Sequence, residues 1–245
     1  MKYGIIGAGA MGYRVGVMLQ KNANVDVDFI DTWERNVEAV REQGGVSVAR
    51  DHENRHIEPI NIFYPEEYHG HPDVWIIFKK QMQLAEELKR DKAAGIFHED
   101  QYVFSAMNGM GHFEKIANYF AEDHIVCGTA MIATRLDGPA NVDFMGAEGT
   151  EVMHLAKYDN NSADQIFQAI VADFKRAKLN PVVTDDWLGM CMSKVVFNAV
   201  TNTLCTMFEM QMGQFIEYAG VREMAKQLFD EAYDACERAG IYLIA

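Results

Sequence analysis

KYGIIGAGAMGYRVGVML, residues 2–19, reads as a short strand, a tight glycine turn and the opening of a helix. The apolar run ends at Ile6. Gly7, Gly9 and Gly12 follow at the spacing G-x-G-x-x-G, and Val15, Val17, Met18 and Leu19 continue with helical character. Each glycine has its own task at that spacing. The first permits the turn, the second lets backbone approach a pyrophosphate, and the third lets helix and strand pack closely. N–H groups at a helix start lack intrahelical partners and carry the positive end of its dipole. Ala8, Ala10 and Met11, with the three glycines, therefore form a candidate cofactor-binding turn for a dinucleotide.

Outward from the turn, strand and helix alternate. Val25 to Ile30 alternates like a half-buried strand and stops at Asp31, which stands 19 positions beyond Gly12. A carboxylate at that strand end accepts hydrogen bonds from the adenosine ribose and repels a 2′-phosphate, which favours NAD(H). Arg35, one turn on, is a cation that can meet a phosphate. A helix at about 33–43 ends at Gly44-Gly45, and residues 46–64 read as an excursion of short strands. The pattern resumes with Val74 to Phe78, Lys79, Lys80 and a helix to about 93. It repeats as Tyr102 to Ala106, Asn108-Gly109-Met110-Gly111 and another helix. Such alternation argues for a parallel sheet covered on both faces. Runs within 124–156 suggest an antiparallel edge, and a helix at about 162–177 with a strand at Val182-Val183 closes the domain. From Asp185, the expected N-cap, the rest is helical. The expected architecture is α/β, a doubly wound sheet domain over 1–184 followed by an all-helical domain over 185–245.

The segment WLGMCMSKVVFNAVTNTLCTMF, residues 187–208, is apolar except at helical spacing, where Lys194, Asn198 and Asn202 fall. Steps of four residues drift only about 40° around a helix, so one ammonium and two carboxamides share a stripe. A helix apolar nearly all round is normally buried, and a buried ammonium needs a polar group to face. The alternative is a partly exposed helix whose lysine reaches water while the asparagines satisfy nearby backbone.

A formal charge of −14 disfavours nucleic acid and anionic membranes as partners, so an anionic substrate must be held by a few local cations. Cys127, Cys191, Cys205 and Cys236 are scattered and read as core thiols of a reducing compartment. No run approaches membrane-spanning length and the N-terminus lacks a signal-peptide pattern, so we expect a cytoplasmic protein. No metal site is expected, because His69 and His71 have no ligand set around them. Phe215, Ile216, Met224 and Leu228 read as core, with a homodimer face as the alternative.

Taken in order, GAGAMG at 7–12, KKQMQ around Lys80, NGMG at 108–111, GTAMIATRLDG at 128–138 and KVVFNAVTN at 194–202 resemble the ketopantoate reductases (2-dehydropantoate 2-reductases). The likeness runs from residue 1 to about 240. It implies a Rossmann-type cofactor domain, a helical domain and a reaction in the cleft between them. By that resemblance Lys194 is the catalytic proton donor, and Asn198 and Asn202 orient the substrate. Asn108 meets both substrate and cofactor, and Lys80 and Thr134 lie on the cofactor side. Lys79 competes with Lys80, which is preferred for its spacing to Gln83. NADP(H) is the family's default coenzyme.

Departures are Ser193 for an arginine, Thr203 for a proline, Met212 for a substrate-contacting asparagine and Asp31 for a basic residue. The family continues into further helices that supply a serine and an acidic residue, so the helical domain is expected to be incomplete relative to it. The implied reaction is hydride transfer from NAD(P)H to the ketone of a small anionic 2-oxo acid, foremost 2-dehydropantoate, in pantothenate biosynthesis. An NAD-dependent D-2-hydroxyacid (D-mandelate-like) dehydrogenase is the alternative within the family. A nucleotide-binding protein without turnover is the alternative outside it.

Overall fold

The computed structural model describes residues 1–244. The chain divides into two compact units, residues 1–107 with 111–185, and residues 108–110 with the chain from Asp186 onward.

The first unit contains β1 (Lys2–Ile6), α1 (Ala10–Met18), β2 (Asp26–Ile30), α2 (Glu34–Gln43), β3 (Val46–Arg50), β4 (Glu53–Glu58) and β5 (Asn61–Phe63). Then follow β6 (Val74–Ile77), α3 (Gln81–Ala93), β7 (Tyr102–Ser105), α4 (Phe113–Ile116), β8 (Ile125–Met131), β9 (Thr134–Gly138) and β10 (Asn141–Phe144). β11 (Val152–Lys157), α5 (Gln165–Arg176) and β12 (Pro181–Val183) complete it. Eight strands form one sheet in the order β12-β11-β8-β7-β6-β1-β2-β5. Every pair is parallel except β11 with β8. Ile5, Ile76, Ile77, Val103 and Phe104 are fully buried, as strands covered on both faces require.

Three local expectations change. β2 is not a half-solvated strand, for Asp28 is buried between β1 and β5, pairs with Lys2 Nζ at 2.7 Å and accepts from Tyr68 Oη at 2.9 Å. The alternation marked a paired interior acid, which the sheet tolerates because both partners are present. Residues 124–156 do not all extend the main sheet. β9 and β10 join β3 and β4 in a separate four-stranded sheet, ordered β4-β3-β10-β9. Arg14 of α1 fixes that sheet, donating to the carbonyls of Ala133 and Met145 and pairing with Glu151, with the arginine and Glu151 each 1% exposed. α1 touches both sheets, which is why every residue from Gly12 to Met18 is buried. The helix after NGMG is only the single turn α4.

Asp91 of α3 is 1% exposed, and among the described residues neither of its carboxylate oxygens has a hydrogen-bond partner. Burial, with the negative charge of Glu87 one turn earlier, pushes its carboxyl up to about 7. The folded protein then keeps a proton that the unfolded chain releases. The resulting stability is complete below the ordinary carboxylate range and is lost as pH rises towards about 7, at ~1.4 kcal/mol per pH unit and about 4 kcal/mol in all. Asp91→Asn is expected to flatten this slope in urea unfolding measured from pH 4 to 8. A variant as pH-sensitive as the parent would refute the assignment.

The second unit contains α6 (Trp187–Met207), α7 (Met212–Phe215) and α8 (Ala219–Arg238). Its N-cap is Asp186 rather than Asp185, since the Asp186 carboxylate accepts from Gly189 N at 2.8 Å. Val200 and Leu204 of α6 pack against Val221 and Ala225 of α8, with Phe215 partly buried beside them. The other expected core residues are exposed, Ile216 by 67%, Met224 by 40% and Leu228 by 36%. Two helices in contact bury a narrow stripe on each, whereas the apolar positions here span a wider arc. Phe197 and Met207 of α6 are exposed for the same reason.

Candidate active site

The glycine turn is built by close approach. Gly7 adopts φ +102°, and a side chain there would meet the Phe78 carbonyl at 2.5 Å. A Cβ on Gly12 would lie 2.0 Å from the Gly7 carbonyl oxygen, so the helix is pressed directly onto the turn. At Gly9, the residue before α1, a Cβ would meet nothing within 4 Å. No side chain caps α1 there. Two glycines are thus needed by the fold, and the third leaves open space at a helix start, the combination that a diphosphate fits. Ala8 lies buried between them, and Ala10 and Met11 form the partly exposed first turn.

Asp31 is 7% exposed and heavily occupied. Its Oδ2 accepts from Ala8 N at 3.0 Å and from Asn36 Nδ2 at 3.2 Å. Its Oδ1 accepts from Thr32 N at 2.7 Å, Trp33 N at 3.2 Å and Lys79 Nζ at 3.4 Å. The carboxylate therefore fastens the glycine turn to the end of β2. Asn36, 0% exposed, completes the fastening. It donates also to Ala8 O at 3.0 Å and accepts from Tyr13 Oη and Ala140 N, each at 2.8 Å. All four of its hydrogen-bonding positions are used. Nothing in the local sequence of α2 marks Asn36, because its partners come from four separate segments.

Of the two lysines after β6, the structure places Lys79 against the turn. Its Cδ would be 3.3 Å from a Cβ on Gly7 and its side chain is 10% exposed, whereas Lys80 is exposed as the residue preceding α3. Thr134 opens β9, where its hydroxyl donates to Asp143 O at 3.1 Å, one residue from the Ala133 carbonyl that Arg14 holds.

In the second unit, Lys194, Asn198 and Asn202 lie on successive turns of α6. Lys194 is half-buried, with Nζ 5.1 Å from the centroid of the Phe197 ring, and burial lowers its pKa from the ordinary lysine value. Asn198 Nδ2 donates to Asn108 Oδ1 at 3.3 Å, so NGMG supplies a third carboxamide to the stripe. Asn202 is exposed. Ser193 donates to Gly189 O at 2.7 Å and accepts from Ile244 N at 2.8 Å, tying residue 244 to α6. Met212 begins α7 and is 47% exposed. Cys191, on the same helix, is buried with its thiol pushed up to about 12, which removes it as a nucleophile. The half-buried ammonium and neighbouring amides can donate to an anionic acid and to an oxygen that gains charge. Among the described residues no group of three or more His, Cys, Asp or Glu can hold a metal, and no helix is long and apolar enough to cross a membrane.

Residues 3–157 match the family described as Ketopantoate reductase PanE/ApbA, and residues 186–244 match Ketopantoate reductase PanE/ApbA C terminal. The 2-dehydropantoate 2-reductase of Streptococcus pyogenes serotype M6 is 30% identical over 240 residues, covering 98% of this chain and 75% of that protein. A solved D-mandelate dehydrogenase, in ternary complex with NADH and anilino(oxo)acetate, superposes with a TM-score of 0.88 at 25% identity, covering 99% of this chain and 76% of that one. The 2-dehydropantoate 2-reductase of Geobacter metallireducens shares the fold, with a TM-score of 0.85 at 24% identity over 100% of this chain and 78% of that one. The chain belongs to the ketopantoate reductase family.

Proposed function

We propose that this chain reduces the ketone of a small anionic 2-oxo acid, foremost 2-dehydropantoate to pantoate, with Lys194 as the proton donor. The observation that carries the reading is the row of Lys194, Asn198 and Asn202 on α6 with Asn108 hydrogen-bonded to Asn198, in a chain of this family. A bound reduced nicotinamide supplies the hydride. Gly7 to Gly12 hold its diphosphate, and Asp31, Asn108, Lys79 or Lys80, and the backbone at Thr134 complete the cofactor contacts. Lys194 donates a hydrogen bond to the ketone oxygen and releases its proton to the alkoxide as the carbon becomes tetrahedral. A pKa lowered by burial brings that proton nearer to release at neutral pH, and a substrate carboxylate restores part of the charged form. Asn198 and Asn202 donate to the substrate's carboxylate and hydroxyl and so select the carbonyl face that is reduced.

NADH is the coenzyme we propose, because the Asp31 carboxylate disfavours a 2′-phosphate. Michaelis constants for both coenzymes with 2-dehydropantoate as substrate are expected to favour NADH; a clear NADPH preference refutes this part. Asp31, together with the structural likeness to an NADH-bound D-mandelate dehydrogenase, favours a second reading, an NAD-dependent D-2-hydroxyacid dehydrogenase. Rates with phenylglyoxylate against 2-dehydropantoate separate the two. Coenzyme binding with no oxidation of NADH by any 2-oxo acid would overturn both.

A further inference from the structure

We infer that discrimination against the 2′-phosphate of NADPH is exerted by a charge cluster of Asp31, Lys79 and Glu87, and not by Asp31 alone. The inference rests on the NADH preference proposed above. Lys79 Nζ lies 3.4 Å from Asp31 Oδ1 and 3.4 Å from Glu87 Oε2, and the three side chains are 10%, 9% and 13% exposed. Thr32 Oγ1, on the residue after Asp31, donates to Glu87 Oε1 at 3.3 Å. Glu87, from the middle of α3, thereby reaches the end of β2 and the glycine turn that Lys79 flanks.

Asp31 already accepts from five donors, more than the four lone-pair positions of a carboxylate. The longest of those contacts is the one to Lys79, so a ribose hydroxyl is accommodated by replacing it. Glu87 then keeps the ammonium. Two carboxylates around one ammonium leave a net negative charge, and the Lys79 ammonium beside the glycine turn is held between them. Arg90, the other cation on Glu87, sits 3.4 Å from its Oε1 on the solvent side and is 45% exposed, so water screens it.

The two substitutions that dismantle the cluster should therefore act with opposite sign. Glu87→Gln frees Lys79 to meet a phosphate. Lys79→Met leaves the two carboxylates without the ammonium between them. If Asp31 acts alone, neither matters. Dissociation constants of NADH, NADPH, 5′-ADP and 2′,5′-ADP, measured by calorimetry on the parent, E87Q and K79M, test this without turnover. We expect E87Q to reduce the preference for NADH by about ten-fold, chiefly by tightening NADPH and 2′,5′-ADP, and K79M to increase it by about ten-fold. Unchanged 5′-ADP binding in E87Q certifies an intact turn, and E87Q decides alone if K79M does not fold or loses 5′-ADP. A parent that prefers NADH, with the same preference in E87Q, overturns the cluster and leaves the coenzyme proposal standing. A parent that prefers NADPH overturns both.

Discussion

Lys194→Ala is expected to lower kcat by ~10²–10⁴, the range of a lost general acid, with the dissociation constant of NADH unchanged. Lys194 is half-buried on an otherwise apolar stretch of α6, beside Phe197 and one turn before Asn198. Desolvation disfavours its charged form, so the ammonium yields a proton more readily than an exposed lysine. Its contribution is fully present while it is protonated and is lost as pH rises through its lowered pKa. The alkaline limb of kcat/KM for the parent, which reports the free enzyme, should accordingly fall below the ordinary lysine range. Lys194→Arg keeps the charge but does not release a proton near neutrality, so it should rescue substrate binding and not turnover. Steady-state rates over pH, with NADH binding measured separately, decide the matter. A near-parental kcat in Lys194→Ala would remove the residue from the mechanism.

Gly12→Ala and Gly9→Ala form the second test, and their contrast carries the information. A methyl group at Gly12 would stand 2.0 Å from the Gly7 carbonyl oxygen, backbone that cannot yield without opening the turn. The expected result is a loss of about 1–3 kcal/mol of stability, the usual scale of overpacking, together with coenzyme affinity reduced more than about 100-fold. At Gly9 the same methyl group meets nothing within 4 Å, so folding should be unaffected. If the open space belongs to the diphosphate, coenzyme affinity still falls in Gly9→Ala, by about ten-fold or more, while the thermal transition stays put. Thermal unfolding and NADH titration of both variants are sufficient. A Gly9→Ala variant with parental NADH affinity would exclude this turn as the pyrophosphate site.

The proposed roles of the two lysines after β6 follow from different kinds of information. Spacing to Gln83 favours Lys80, because sequence spacing reports only the distance along the chain. The strand end turns Lys79 inward, against Gly7, Asp31 and Glu87, and leaves Lys80 in solvent. Two adjacent residues leaving a strand point to opposite sides, and which side is inner depends on the register of β6 beside β1.

Much of the fold was legible in the residues themselves. Strand, glycine turn and helix at residues 2–19, the return of the same pattern at β6 and β7, and the helical stripe of Lys194, Asn198 and Asn202 all follow from local periodicity and turn chemistry, which depend on neighbours a few positions apart. Tertiary structure alone decided the rest. It drew β9 and β10 into a sheet with β3 and β4 by pairing β10 alongside β3, and it filled the lone pairs of Asp31 with the chain's own donors. It also joined Asn108 to Asn198 across 90 residues. Those outcomes depend on which surfaces meet, and hydrophobic patterning records that a face is apolar without recording what will cover it. Ile216, Met224 and Leu228 show the consequence, since their spacing reads as core while the two-helix contact of α6 with α8 leaves them exposed.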